Sequence, residues 1–186
     1  MLLDYFGIMI MALLGGVRLN QTLSGEWWAL PLFAHAMLSA LLLVLHRKTS
    51  RQSTLVQRLV AWASALLPFA IQINQSVPLV IRGLSMLGVV VAIWTIFTLG
   101  KAFDVSPADR GLVKHGPYQW IRHPMYASEL FSVGVMVMVD LSLWNVLVTI
   151  LLTATLLLRI RWEEKIIHGY LTYGQQVRSR LLPGVW

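Results

Sequence analysis

The sequence predicts an all-α integral membrane protein, a single bundle of about six transmembrane helices with a polar pocket at one membrane boundary. Three observations carry that expectation. Of 186 residues 57% are hydrophobic and only 12% charged, about half the charged fraction of a water-soluble domain. The apolar residues fall into six runs separated by short polar connections. Nearly all the basic residues sit in alternate connections.

The runs are Tyr5 to Leu19, Trp28 to Leu45, Leu59 to Ile73, Leu79 to Gly100, Met125 to Val139 and Leu141 to Ile160. A spanning helix needs roughly 20 apolar residues, so six such runs use up the chain and leave no room for a separate soluble domain. The N-terminus lacks a basic leader and a small-residue cleavage site, so the first run is expected to be kept as a helix. The fourth run reaches roughly 33 Å at 1.5 Å per residue, enough to cross the hydrocarbon, whereas the fifth reaches only roughly 22 Å. Asp140 marks the tight turn between the fifth and sixth. Ser39, Ser64 and Ser85, with small neighbours, suit helix packing, and the eight methionines suit apolar filling.

Orientation follows from the cations. Arg47, Lys48, Arg51 and Arg58 lie between the second and third runs. Lys101, Arg110, Lys114 and Arg122 lie between the fourth and fifth, and Arg159, Arg161, Lys165, Arg178 and Arg180 near the end. With both termini inside, thirteen of the fifteen basic residues share one face, which the positive-inside rule makes cytoplasmic. The net charge of +7 then needs no nucleic-acid partner. The absence of cysteine excludes disulfides, thiolate nucleophiles, cysteine-ligated zinc and a prenylated C-terminus. Scattered histidines such as His35, His46 and His168 show no metal spacing, and no metal is expected.

Polar chemistry is concentrated in two stretches. HGPYQWIRHPMY, His115 to Tyr126, holds two prolines, two histidines and an arginine between apolar runs. Pro124 needs no intrahelical donor and is pre-set for a first helical turn, so a helix should begin there. Arg122, His123 and Tyr126 then place donors beside an anion-receptive helix start. RIRWEE, Arg159 to Glu164, puts Arg159 and Glu163 four apart on one helix face, where an ion pair between them is the simplest expectation. A hairpin brings the two stretches to one membrane level, where carboxylates and a cationic helix start would suit a zwitterion. Glu129, one turn into the fifth helix, is an intramembrane carboxylate and so a candidate for substrate contact.

The run LVKHGPYQWIRHPMY, a hydrophobic hairpin, RIRWEE and then YLTYGQQVRSRLLP resembles the isoprenylcysteine carboxyl methyltransferase family, which is related to phospholipid methyltransferases. The resemblance covers about Leu99 to Pro183. It implies S-adenosyl-L-methionine as cofactor and a lipophilic small-molecule or prenylated acceptor, methylated on a carboxylate. Carried over position by position, it implies cofactor contacts at Arg110, Gly111, Leu112, Val113, Tyr118, His123, Pro124, Met125, Tyr126 and Glu163. Arg159 matches the arginine that meets the acceptor carboxylate, with Arg122 beside it as a second catalytic candidate. This sequence departs from the family pattern in the short KIIHG link between Glu164 and Tyr170, and in Phe103, which stands where a polar contact would be convenient.

On this reading residues 1–78 are a helical scaffold and residues 79–186 the methyltransferase core. The small size leans toward a bacterial or archaeal cytoplasmic membrane. Two other functions share parts of the pattern. Membrane sterol reductases carry a similar Arg-His-Pro-Tyr segment and use NADPH, and a non-catalytic scaffold or lipid-binding protein would use the polar loops only as anchors.

Overall fold

The computed structural model describes residues 2–74 and 76–184. They form seven α-helices and one short pairing of extended segments: α1 (Leu2–Leu23), α2 (Ala29–Leu45), β1 (Arg51–Gln52), α3 (Leu55–Leu66), α4 (Leu79–Leu99), β2 (Ala108–Asp109), α5 (Pro124–Val137), α6 (Leu143–Ile166) and α7 (Tyr170–Gln176). Three helices are long and apolar enough to cross a membrane, over Tyr5–Leu23, Leu79–Ala102 and Leu143–Ile166. Two more apolar stretches, Ala29–Leu45 and Leu55–Ala70, are shorter. By length and composition these helices suit an integral membrane protein.

The third run differs from expectation at both ends. Thr54 Oγ1 accepts from Gln57 N at 3.3 Å and Gln57 Oε1 accepts from Thr54 N at 2.9 Å. This reciprocal cap starts α3 at Leu55, four residues early, because two otherwise orphaned donors are satisfied there. Pro68 then turns the chain into a 3-10 segment, Leu67–Ala70, since a proline inside a helix removes a bond and clashes with the preceding turn. The sixth helix runs past Ile160 to Ile166, so RIRWEE is entirely helical.

α1 packs on α2, α4 on α5, α2 on α4, and α3 on α6. Leu43, Trp62 and Ile96 meet in one apolar cluster, and Tyr126, Val133, Leu152, Leu156 and Ile160 in a second along α5 and α6. Small residues set the α4–α5 distance. Ser85 Oγ donates to Ser132 O and Ser132 Oγ to Ser85 O, at 3.2 and 3.0 Å. A Cβ on Gly88 would lie 2.2 Å from Ser132 Oγ and 3.0 Å from the Ser128 carbonyl. Close approach of this kind replaces the hydrophobic drive that helices lack in lipid.

The connections after α2, α4 and α6 meet at one end of the bundle. β1 pairs antiparallel with β2, Arg51 opposite Asp109 and Gln52 opposite Ala108, and Arg47 N donates to Lys101 O at 2.8 Å. Asp109, 7% exposed, is the knot. Its Oδ2 accepts from Ser50 Oγ at 3.0 Å and from His168 N at 3.2 Å, and its Oδ1 from Gly111 N at 3.2 Å. One carboxylate thus ties three connections that are far apart in sequence and supports the floor of the cleft described next.

Candidate active site

An open cleft lies where these connections meet. The Leu99–Val113 segment, the Tyr118 turn, the first turn of α5, the inner end of α6 and α7 supply its walls. Helix α5 begins at Pro124, its first residue, as the RHPMY motif leads one to expect. That start aims Met125 and Tyr126 into the wall beside His123.

The carboxylates organise the polar side. Tyr126, buried at 2% exposure, donates its hydroxyl to Glu163 Oε1, and His123 Nδ1 lies 3.7 Å from Glu163 Oε2. Glu164 turns the other way. Its Oε1 accepts from Arg122 Nη1 and from Arg180 Nε, both at 2.9 Å, and its Oε2 from Arg180 Nη2 at 3.1 Å. Two charged donors hold Glu164, so of the adjacent pair Glu163 is the one left to face a ligand.

The chain after α6 closes one end of the cleft. Gly169 takes a left-handed turn, φ +75°, which a glycine adopts without steric cost, and the short KIIHG link thereby swings α7 back over His123. Tyr170 OH lies 2.8 Å from His123 Nε2, and the Tyr173 hydroxyl donates to the Tyr118 carbonyl. His123 is stacked between Tyr126 and Tyr170, with centroids 5.7 and 5.9 Å away. Beyond α7 the strand-like tail docks through Arg122 N to Ser179 O and His123 N to Arg180 O, both 2.9 Å. The amides just before α5 are therefore engaged by the chain itself.

Burial raises the Tyr118 and Tyr170 phenols well above their ordinary range and pushes Tyr173 up to about 12, against a smaller opposing pull from Arg122 on Tyr173. These hydroxyls are therefore neutral donors at physiological pH, not bases. A phenol raised in the folded state stabilises fully below its ordinary value near 10. For Tyr173 that contribution is lost as pH climbs from there through about 12.

Arg159 is placed differently from the other candidates. It is 2% exposed and does not border the cleft. Nη1 donates to Ser64 Oγ and Nη2 to the Val105 carbonyl, both at 2.8 Å, and the guanidinium lies 4.7 Å from the centre of the Tyr126 ring. The ion pair with Glu163 that the four-residue spacing suggests is not formed, because Glu163 turns to Tyr126 and Arg159 to Ser64. Its Nε has no partner among the described residues, while Glu129, Glu163 and Asp104 surround it at electrostatic range.

The structure therefore brings Gly111, Leu112, Val113, Tyr118, Arg122, His123, Met125, Tyr126 and Glu163 to one cleft and leaves Arg110, Pro124, Glu129 and Arg159 off its lining. Arg110 is turned to Asp104, Nε to Oδ2 at 2.8 Å, and to the Arg47 carbonyl. Sequence reasoning missed Asp104, Ser106 and Asp109. A buried aspartate six residues before an arginine was the available signal, but nothing in the sequence says that the segment between them folds inward. Phe103 is a core residue, 4% exposed.

A search against curated proteins gave no match. The model of the isoprenylcysteine carboxyl methyltransferase (ICMT) family matches residues 80–168. That span starts in the first turn of α4 and ends just before α7, so it supplies every wall of the cleft except the one closed by Tyr170 and Tyr173. That match over residues 80–168 relates the chain to the ICMT family of membrane methyltransferases.

Proposed function

We propose that the protein transfers the methyl group of S-adenosyl-L-methionine to a lipophilic acceptor, a carboxylate of the isoprenylcysteine type, at the cytoplasmic boundary of the membrane. The observation that carries this reading is Glu163, left free to face a ligand by the Arg122–Glu164–Arg180 clamp, in a cleft built from the family-matched residues.

The residues fit the cofactor. Glu163 would meet the ammonium of its methionine end, with His123, Tyr126 and Tyr170 bordering the same cleft beside it. Leu112, Val113, Met125 and Ile167 supply an apolar wall. When bound, the cofactor supplies a sulfonium methyl group, already electrophilic. An acceptor carboxylate is ionised at neutral pH, its ordinary pKa being near ~4, so no acid or base is required of the protein. What remains for the chain is orientation and exclusion of water. Tyr126 and His123 hold Glu163, and α7 shields one end of the cleft.

Arg159 suits the acceptor side. It is a buried cation behind Tyr126 whose Nε–H has no partner among the described residues, and a carboxylate arriving from the bilayer would complete it. Glu129, on α5 within the field of Arg159, belongs to the same side as a substrate contact. The bundle would cross the membrane six times with both termini cytoplasmic, α2, α3 and α5 being its short members. Residues 1–78 serve as scaffold and residues 79–186 as the catalytic half.

Purified protein in lipid nanodiscs, given methyl-labelled S-adenosylmethionine and a panel of lipophilic acids and prenylcysteines, is expected to produce a base-labile methyl ester. Label transferred only to an amine or thiol acceptor would exclude carboxyl transfer. No transfer to any acceptor by protein that binds the donor would leave the acceptor outside this chemical class.

A further inference from the structure

Most buried polar side chains among the described residues have a partner. One that does not is Ser106, which is 6% exposed and whose Oγ makes no hydrogen bond. Its polar neighbours are engaged elsewhere. Its own N–H donates to Asp104 Oδ1 at 3.0 Å, Asp104 Oδ2 takes the Arg110 Nε at 2.8 Å, and the adjoining Val105 carbonyl takes Arg159. A hydroxyl removed from water without a partner is destabilising, a cost that alanine would not incur.

Ser106 borders two hollows at once. One is the main cleft. The other, of about 250 Å3, is lined by Thr49, Gln52, Ser53, Arg58 and Arg110 and shares Asp104, Ser106 and Ala108 with it. The main cleft is the larger of the two and receives Ala108 and Gly111 to Val113 from the same connecting segment. Ser106 therefore stands in the run of residues that walls the main cleft, with an unspent hydroxyl.

We propose that Ser106 is a binding residue for the methyl donor, its hydroxyl completing a hydrogen bond to a polar group of the donor molecule in the main cleft. This rests on the function proposed above and adds a contact that the motifs do not mark. The prediction has two effects of opposite sign. Ser106→Ala removes the unsatisfied group from the ligand-free protein and the partner from the bound one.

The test is calorimetric titration of S-adenosylhomocysteine into wild-type, Ser106→Ala and Ser106→Cys proteins in nanodiscs, with melting curves of each without ligand. Expected are affinity about tenfold weaker for Ser106→Ala, an intermediate value for the near-isosteric and weaker donor cysteine, and a ligand-free melting temperature for Ser106→Ala equal to wild type or higher. Wild-type binding matched within about twofold by Ser106→Ala would overturn the role alone, as would a ligand-free melting temperature that falls with the affinity, which marks a structural hydroxyl. An effect confined to the KM of the acceptor would also overturn it, placing the hydroxyl on the other substrate. Absence of binding by folded wild type would overturn the proposed function and this role together.

Discussion

Glu163→Ala is expected to weaken S-adenosylhomocysteine binding by about 100-fold or more while leaving the protein folded. The basis is the division of labour between two adjacent carboxylates. Glu164 is held by Arg122 and Arg180, so its charge is already answered within the protein. Glu163 is fixed by an uncharged donor, Tyr126, and keeps its charge for a ligand. A charge-assisted hydrogen bond in a partly dry site is worth about 1.5–3 kcal/mol. At about 1.4 kcal/mol per tenfold, removing the carboxylate proposed to meet the ammonium reaches that range. Glu163→Gln keeps an acceptor for Tyr126 and should lie between. Titration calorimetry with parallel melting curves checks both, and an unchanged affinity in Glu163→Ala would remove the residue from the donor site.

Arg159→Met is expected to fold, to bind the donor within about threefold of wild type, and to lose methyl transfer by about 100-fold, or about 2.7 kcal/mol of transition-state stabilisation. A buried cation is costly to desolvate; methionine avoids that cost and nearly fills the same space, but it leaves the Val105 carbonyl without its donor, so it should fold with reduced stability. Its Nε–H, without a partner among the described residues, is the donor that the proposed acceptor carboxylate would meet. Arg159→Ala is a harsher change. It empties the space behind Tyr126 and leaves the Val105 carbonyl without its donor, so stability should fall by about 3 kcal/mol. The acceptor kcat/KM set against the donor affinity of the methionine variant separates the two effects, and an unimpaired kcat/KM would relieve Arg159 of its proposed role.

Much of this architecture is legible in the chain because membrane helices are written in long apolar runs. The fourth run ends where Gly100 turns with positive φ, and the helix start at Pro124 follows from the ring alone. The boundaries that differ have local causes. Thr54 and Gln57 extend α3 backward through a cap that lies outside the apolar stripe, and Pro68 shortens it within one. Past Ile160 the apolar signal stops, and it is the four-residue spacing of Arg159 and Glu163 that marks RIRWEE as helix, as the structure has it.

The site is legible where one motif carries several residues. HGPYQWIRHPMY delivers Tyr118, Arg122, His123, Met125 and Tyr126 to the cleft together, because a proline-started helix fixes their relative placement. Arg159 and Glu163 share a spacing but not a destination. Which way each points is decided by Ser64 on α3 and Tyr126 on α5, partners from distant parts of the chain. The same holds for Asp109, whose three donors come from three separate connections. Pairings set by tertiary packing leave no periodic trace in sequence.

Binding of the methyl donor to the cleft is the property on which the proposed function stands. Wild-type protein in nanodiscs, titrated with S-adenosylhomocysteine and, in a separate run, with NADPH, should show saturable one-to-one binding of the first and none of the second. Saturable binding of NADPH, or no binding of S-adenosylhomocysteine by protein with an intact melting transition, would contradict it.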